Sequence, residues 1–251
     1  MSNNSVKITS IMWGSYLPAF LSAAAGTEHV RLTIFGNKEI ENDADRLDAF
    51  FASAREADIV FLYWTADGFW EEISARIHEI GKGNTVVTTS FDPANWGRSG
   101  TADLKVCAQA YGYLAESGEE NFRRLLNFLA HQVRPEVPVE EPVPVPWQGI
   151  FHPPEPKVYD SVEEYRTDRP AAQGETVGLL FSRHTFTNTD GMLELALIKA
   201  LEAQGLNVLP VFSHGTKEEE SGSLGPIETA KKFFVRPDGS LRIKALINLH
   251  Y

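Results

Sequence analysis

The side chains best equipped for chemistry sit late in the chain. Arg183 and His184 open the polar stretch Arg183-His-Thr-Phe-Thr-Asn-Thr-Asp190, and His214 follows the apolar run 207–212. An imidazole can accept a proton or ligate a metal, and a guanidinium fork matches a carboxylate. Arg183, His184, Asn188 and His214 are therefore the candidate ligand-binding residues. A plainer role competes at each position: a solvated or backbone-bonded histidine, or an arginine in an internal salt bridge. The remaining histidines are His29, His78, His131, His152 and His250, and none of the seven forms H-E-x-x-H or H-x-x-x-H. Any metal site would have to be assembled in three dimensions, so no metal ligand and no catalytic residue is assigned. His78 and His131 fall in helical patterns, and His152, in a Phe-His-Pro-Pro turn, reads as a residue holding a linker against a domain. Glu218-Glu219-Glu220 reads as a solvated loop. No G-x-G-x-x-G opens a helix and no G-x-x-x-x-G-K-[ST] occurs. Gly81-Lys82-Gly83 precedes a strand instead of following one, which excludes it as a phosphate loop. The chain is expected to bind no cofactor of its own.

These candidates need strands to present them. Val6–Trp13, Val30–Phe35, Ile59–Trp64 and Thr85–Phe91 are short runs rich in Val, Ile, Thr and aromatics, the composition of buried parallel strands. Between them Leu47, Phe50, Phe51 and Ala54 form one helical stripe, and Trp70, Ile73, Ile77 and Ile80 another. Ser117-x-x-Glu120 reads as a capping box opening a helix that aligns Phe122, Leu125, Leu126 and Leu129. This alternation predicts a doubly wound sheet whose crevice is lined by residues 13–16, 36–38, 64–67 and 90–92. Trp13, Tyr16, Trp64 and Trp70 could stack on a flat ligand there, or simply pack helices on the sheet. Later, Thr176–Ser182, a helix over Gly191–Gln204 and Asn207–Phe212 make one β-α-β unit, which places the loop 183–190 at a helix N-terminus favourable to carboxylates.

Charge and proline content mark the organisation. The 251 residues carry a net charge of −11, which disfavours nucleic acid and anionic membrane as partners. Residues 1–133 hold 11 basic and 17 acidic side chains, residues 134–175 hold 4 and 9, and residues 176–251 hold 8 of each. Nine of the fourteen prolines lie in the middle piece, where each fixes φ and removes a donor. The expected division is an N-terminal α/β domain (1–133), an acidic, extended Pro-rich linker (134–175) and the start of a second α/β domain (176–251). The fold class is α/β, with two flavodoxin- or Rossmann-like lobes built on parallel sheets. No apolar run reaches bilayer length, the N-terminus lacks a leader pattern, and one cysteine, Cys107, suits a reducing compartment. The expected location is the cytoplasm.

Three stretches carry a resemblance: Trp147-Gln-Gly-Ile-Phe-His-Pro153, Val177-Gly-Leu-Leu-Phe-Ser-Arg-His184 and Ala200-Leu-Glu-Ala-Gln-Gly-Leu-Asn-Val-Leu-Pro-Val-Phe212. With the terminal Ala245-Leu-Ile-Asn-Leu249, they resemble the large-subunit family of cobaltochelatase (CobN type) and magnesium chelatase (H type), over about 145–251. Weaker support comes from the first domain and from Glu119–Leu129. Ser182 replaces the usual aromatic, and His184 stands where many relatives carry serine or tyrosine. The resemblance implies ATP-dependent insertion of a divalent metal into a tetrapyrrole, with cobalt favoured over magnesium. It implies AAA+ motor subunits that bind the ATP, consistent with the missing phosphate loop. Family large subunits are much longer, so the chain resembles an N-terminal portion that would be inactive alone. Two other readings remain: a small-molecule-binding module, and a module that docks a motor through the acidic linker.

Overall fold

A computed structural model describes residues 5–65, 67–188 and 191–250; Ala66, Thr189 and Asp190, named above as loop residues, lie outside them. The chain divides into two units, 1–144 and 145–251, each with its own sheet.

The first unit runs β1 (Val6–Met12), α1 (Leu17–Ala25), β2 (Val30–Gly36), α2 (Asn37–Glu41), α3 (Ala44–Arg55), β3 (Ile59–Tyr63), α4 (Gly68–Gly81), β4 (Thr85–Thr89), α5 (Leu104–Glu116) and α6 (Glu119–His131). Its sheet has the order β2-β1-β3-β4 and every pairing is parallel. Strand β3 shows why its sequence is apolar throughout. Ile59, Phe61 and Tyr63 join the core that holds Tyr16, Phe20 and Phe122, whereas Val60 and Leu62 join the core of α3 and α4. A strand covered on both faces has no polar side to alternate with. The α4 stripe is buried as read, and on α3 Phe50, Phe51 and Ala54 are buried while Leu47 packs half-buried at the edge of the same core.

The expected capping box is not formed. Ser117 terminates α5 with φ 60°, and its Oγ donates to the Leu114 carbonyl at 2.6 Å. Gly118, with φ 86°, then reverses the chain into α6, a backbone conformation open to glycine. Glu120 instead receives both Arg123 and Arg124, and the Arg123 hydrogen bond holds its carboxyl down to about 2. The tight reversal arises because α5 ends immediately before α6. Helix α5 itself has no clear stripe in the sequence, since Gly112 and apolar residues on most sides blur it.

The second unit contains β5 (Gln148–Phe151), β6 (Val158–Tyr159), α7 (Val162–Asp168), β7 (Thr176–Ser182), α8 (Arg183–Thr187), α9 (Met192–Ala203), β8 (Asn207–Ser213), β9 (Lys217–Glu218), β10 (Ser223–Leu224), α10 (Gly225–Phe234) and β11 (Ala245–Asn248). Its main sheet has the order β11-β7-β8-β5-β6. The α/β class holds, but this sheet is mixed where a parallel one was expected. β11, β7 and β8 are parallel, while β5 pairs antiparallel with β8 and β6 with β5.

The expected linker is accordingly shorter. Residues 136–144 leave a turn closed by the Val137 N–H on Arg134 O and then form neither helix nor strand, yet they lie against α5 and α6 of their own unit. Tyr113 Oη donates to Glu140 O at 2.8 Å, and Asn121 exchanges two hydrogen bonds with the Val143 backbone at 2.7 and 2.9 Å. Residues 145–175 are part of the second sheet and its covering layer. Proline density reflects edge strands and turns as well as linkers, so composition could not separate the two. The terminal run Ala245–Leu249 contains β11, an edge strand whose side chains are largely exposed.

Candidate functional site

Three parallel strands end together on one side of the second sheet: β11, β7 and β8. The residues just past their C-terminal ends therefore meet, and this is where open α/β sheets form crevices. β7 leads into Arg183 and His184, β8 into His214, and β11 into His250. The stretch 183–187, expected as a loop, is the short helix α8, capped where Ser182 Oγ accepts from the His184 N–H at 3.2 Å.

Arg183 is 4% exposed. Its Nε donates to Pro146 O at 2.9 Å and Nη2 to Val145 O at 3.1 Å, with the guanidinium 4.2 Å above the Trp147 ring. The guanidinium thus ties the lead-in of β5 to the end of β7 through these two carbonyls. Trp147 meets the His214 ring edge-on at 5.0 Å and accepts the His214 N–H on its carbonyl at 3.0 Å. His250 reaches across the end of β7 to place Nε2 3.1 Å from Ser213 O.

The histidines share an electrostatic environment. His184 is open to solvent on one side, yet desolvation by the surrounding protein lowers it, and the charges of His214, Arg183 and His250 lower it further. Desolvation also lowers His214, followed by Arg183, with Glu218 opposing. Both rings are held neutral near pH 7 and can accept a proton or a hydrogen bond. Among the described residues no group of three His, Cys, Asp or Glu is placed to hold a metal ion.

The structure thus brings Arg183, His184 and His214 together. Asn188 is buried at the other end of α8, beyond its last turn. Two crevice residues were not singled out from sequence, Trp147 and His250. Each lies one or two residues outside a strand, a legible signal once strand direction is known. β5 runs antiparallel to β8, so residues before β5 arrive at the C-terminal end of β8.

In the first unit the rings expected to line a crevice mostly pack the core. Trp64 and Trp70 stack at 5.0 Å, with Trp70 Nε1 donating to Thr65 Oγ1 at 2.7 Å, and Tyr16 packs on Tyr63 and Phe122. Trp13 alone of the four is open to solvent, at 49% exposure. His152 is buried between β5 and α7, with Nδ1 2.9 Å from Tyr165 Oη. Desolvation, then the charge of Arg169, lowers it to about 4.

The sequence model of the CobN/Magnesium Chelatase family matches residues 111–251. An uncharacterised protein of Methanocaldococcus jannaschii is 31% identical over 249 residues, covering 97% of this chain and 18% of the relative. The H-type component of the magnesium chelatase of Cereibacter sphaeroides is 28% identical over 120 residues, covering 45% of this chain and 10% of that protein. The fold is shared with the catalytic subunit of cobaltochelatase from Mycobacterium tuberculosis, with a TM-score of 0.57 and 20% identity over 92% of this chain and 18% of that one. The chain thus spans a fifth or less of the length of these proteins.

Proposed function

The chain belongs to the CobN/magnesium-chelatase family, and we propose that it is the N-terminal part of the large, tetrapyrrole-binding subunit of an ATP-dependent metal chelatase. The match over residues 111–251 carries this reading. The favoured reaction is insertion of cobalt into a corrin precursor, a ligase step of cobalamin biosynthesis, in the cytoplasm. The likeness to a cobaltochelatase fold supports that choice. The likeness to the H-type component of a magnesium chelatase favours a second reading, magnesium insertion into a porphyrin.

Insertion removes two pyrrole protons, so a group able to accept a proton must come near the ring. Neutral His184 and His214 suit that demand. Arg183 does not bind the macrocycle in this reading, because the carbonyls of 145 and 146 already hold its guanidinium; it orients Trp147 and His214. The divalent metal is substrate, and ATP is hydrolysed by separate AAA+ motor subunits. The chain by itself is inactive.

Titration with a hydrogenobyrinic-type or porphyrin ligand should quench tryptophan fluorescence saturably, and His184→Ala should weaken the response. Metal insertion should require a longer chain plus ATP and motor subunits. Turnover by the 251-residue chain at the longer chain's rate would sink the assignment of inactivity. Absence of saturable quenching would remove the crevice from the tetrapyrrole site.

A further inference from the structure

The second unit carries a local excess of positive charge at the opposite end of its sheet. Residues 231–244 hold Lys231, Lys232, Arg236, Arg242 and Lys244 against one acid, Asp238, within a chain of net −11. Arg236, Arg242 and Lys244 line one open cleft of about 650 Å³, beside Glu175 and Thr176 at the entry to β7. The turn 235–241 closes on itself, since Val235 and Leu241 form a bridge and the Arg236 N–H donates to Ser240 O at 2.8 Å. That closure holds Arg236 over the cleft.

The donors here exceed the acceptors. Arg236 uses Nη1 on Ser240 Oγ and Leu241 O, and the carboxylate that feels its charge is Asp238 in the same turn, itself held by Ser240. Arg242 gives Nη2 to Glu163 at 2.9 Å, while its Nε is buried with no hydrogen-bond partner. Lys244 approaches Glu175 only to 3.7 Å, with both side chains exposed. Two guanidinium groups and an ammonium around one cleft present donor geometry for oxyanions.

We propose that the cleft rimmed by Arg236, Arg242 and Lys244 binds a small ligand bearing two or more oxyanion charges, of the phosphate or carboxylate type. The bound anion supplies acceptors to the exposed Arg236 and Lys244 groups, and Glu175 is the competing internal carboxylate. This site lies at the N-terminal ends of β7 and β11, away from the histidine crevice, and does not depend on the chelatase reading.

Calorimetric titration of the full 251-residue chain at low salt, with inorganic pyrophosphate and separately with citrate, tests it. At least one anion should bind saturably at one site, with affinity falling as salt rises. Arg236→Gln and Lys244→Gln should each weaken binding several-fold and together at least tenfold. Glu175→Gln should tighten it several-fold by removing the competitor. Lys82→Gln, between Gly81 and Gly83 in the first unit, should change nothing. Pyrophosphate alone binding would assign a phosphate ligand, and citrate alone a polycarboxylate; either supports the site. Because Arg236 also braces the turn, Lys244→Gln, whose thermal melt should match the parent chain, is the deciding variant. Lack of saturable binding by both anions, or undiminished binding in the double variant, would overturn the proposal.

Discussion

At the scale of single residues, burial decides which titratable groups matter. His152 is held neutral down to about pH 4, whereas in the unfolded chain it would take a proton near 6.5. The unfolded state therefore binds more protons between those values. Its contribution to stability is complete above about pH 6.5 and is lost progressively as pH falls toward 4. His184 and His214, also lowered, act in the same direction. Urea unfolding between pH 7 and 5 should show declining stability, and His152→Gln should flatten that decline. An unchanged slope would contradict the burial argument. Arg183→Ala tests a different point. Losing hydrogen bonds from a buried charge to two carbonyls should cost about 2–3 kcal/mol and shift Trp147 emission, without any ligand present. His184→Ala, which leaves these two carbonyl contacts in place, is the better probe of binding.

At the scale of elements, close approaches between strands define the tolerances. A Cβ added at Gly149 of β5 would lie 2.6 Å from Val158 Cγ1 and 3.3 Å from both the Phe212 ring and Tyr159 O. Gly149→Ala should therefore destabilise the second unit by about 1–3 kcal/mol through overpacking, read from its urea midpoint. The stretch 136–144 depends on Asn121, whose side chain satisfies both backbone groups of Val143. Asn121→Ala should cost about 1–2 kcal/mol and expose that stretch to protease. In the parent chain, limited proteolysis should cut first at the exposed tip of the β9–β10 hairpin, residues 217–222. First cleavage at 136–144 would mean the pinning is weaker than its hydrogen bonds imply.

At the scale of the molecule, the boundary of the second unit is the decisive feature. β5, β6 and α7 contribute Ile150, Tyr159, Val162 and Tyr165 to the same core as Leu180, Leu209 and Val211. A chain of residues 145–251 should fold alone with a cooperative thermal transition. Residues 176–251 should not, because their sheet would lose two strands and expose that core. Comparison of the two melts by circular dichroism checks this. Cooperative melting of the shorter piece would restore the boundary that proline content suggests.

Local pattern determined much of this protein by itself. The β-α-β order, the buried faces of α3 and α4, and the position of Arg183, His184 and His214 after strands all follow from side-chain period and strand composition. These are properties of neighbouring residues, so they are legible in one dimension. Tertiary structure decided what depends on distant partners. It turned Ser117 from a cap of α6 into the end of α5, because φ at 117 and 118 is set by how two helices pack. It drew a proline-rich stretch into an antiparallel sheet edge, because β5 hydrogen-bonds to a strand some 60 residues later. It also spent Arg183 on the carbonyls of 145 and 146 and brought His250 to Ser213, since only the strand order β11-β7-β8-β5 makes those groups neighbours.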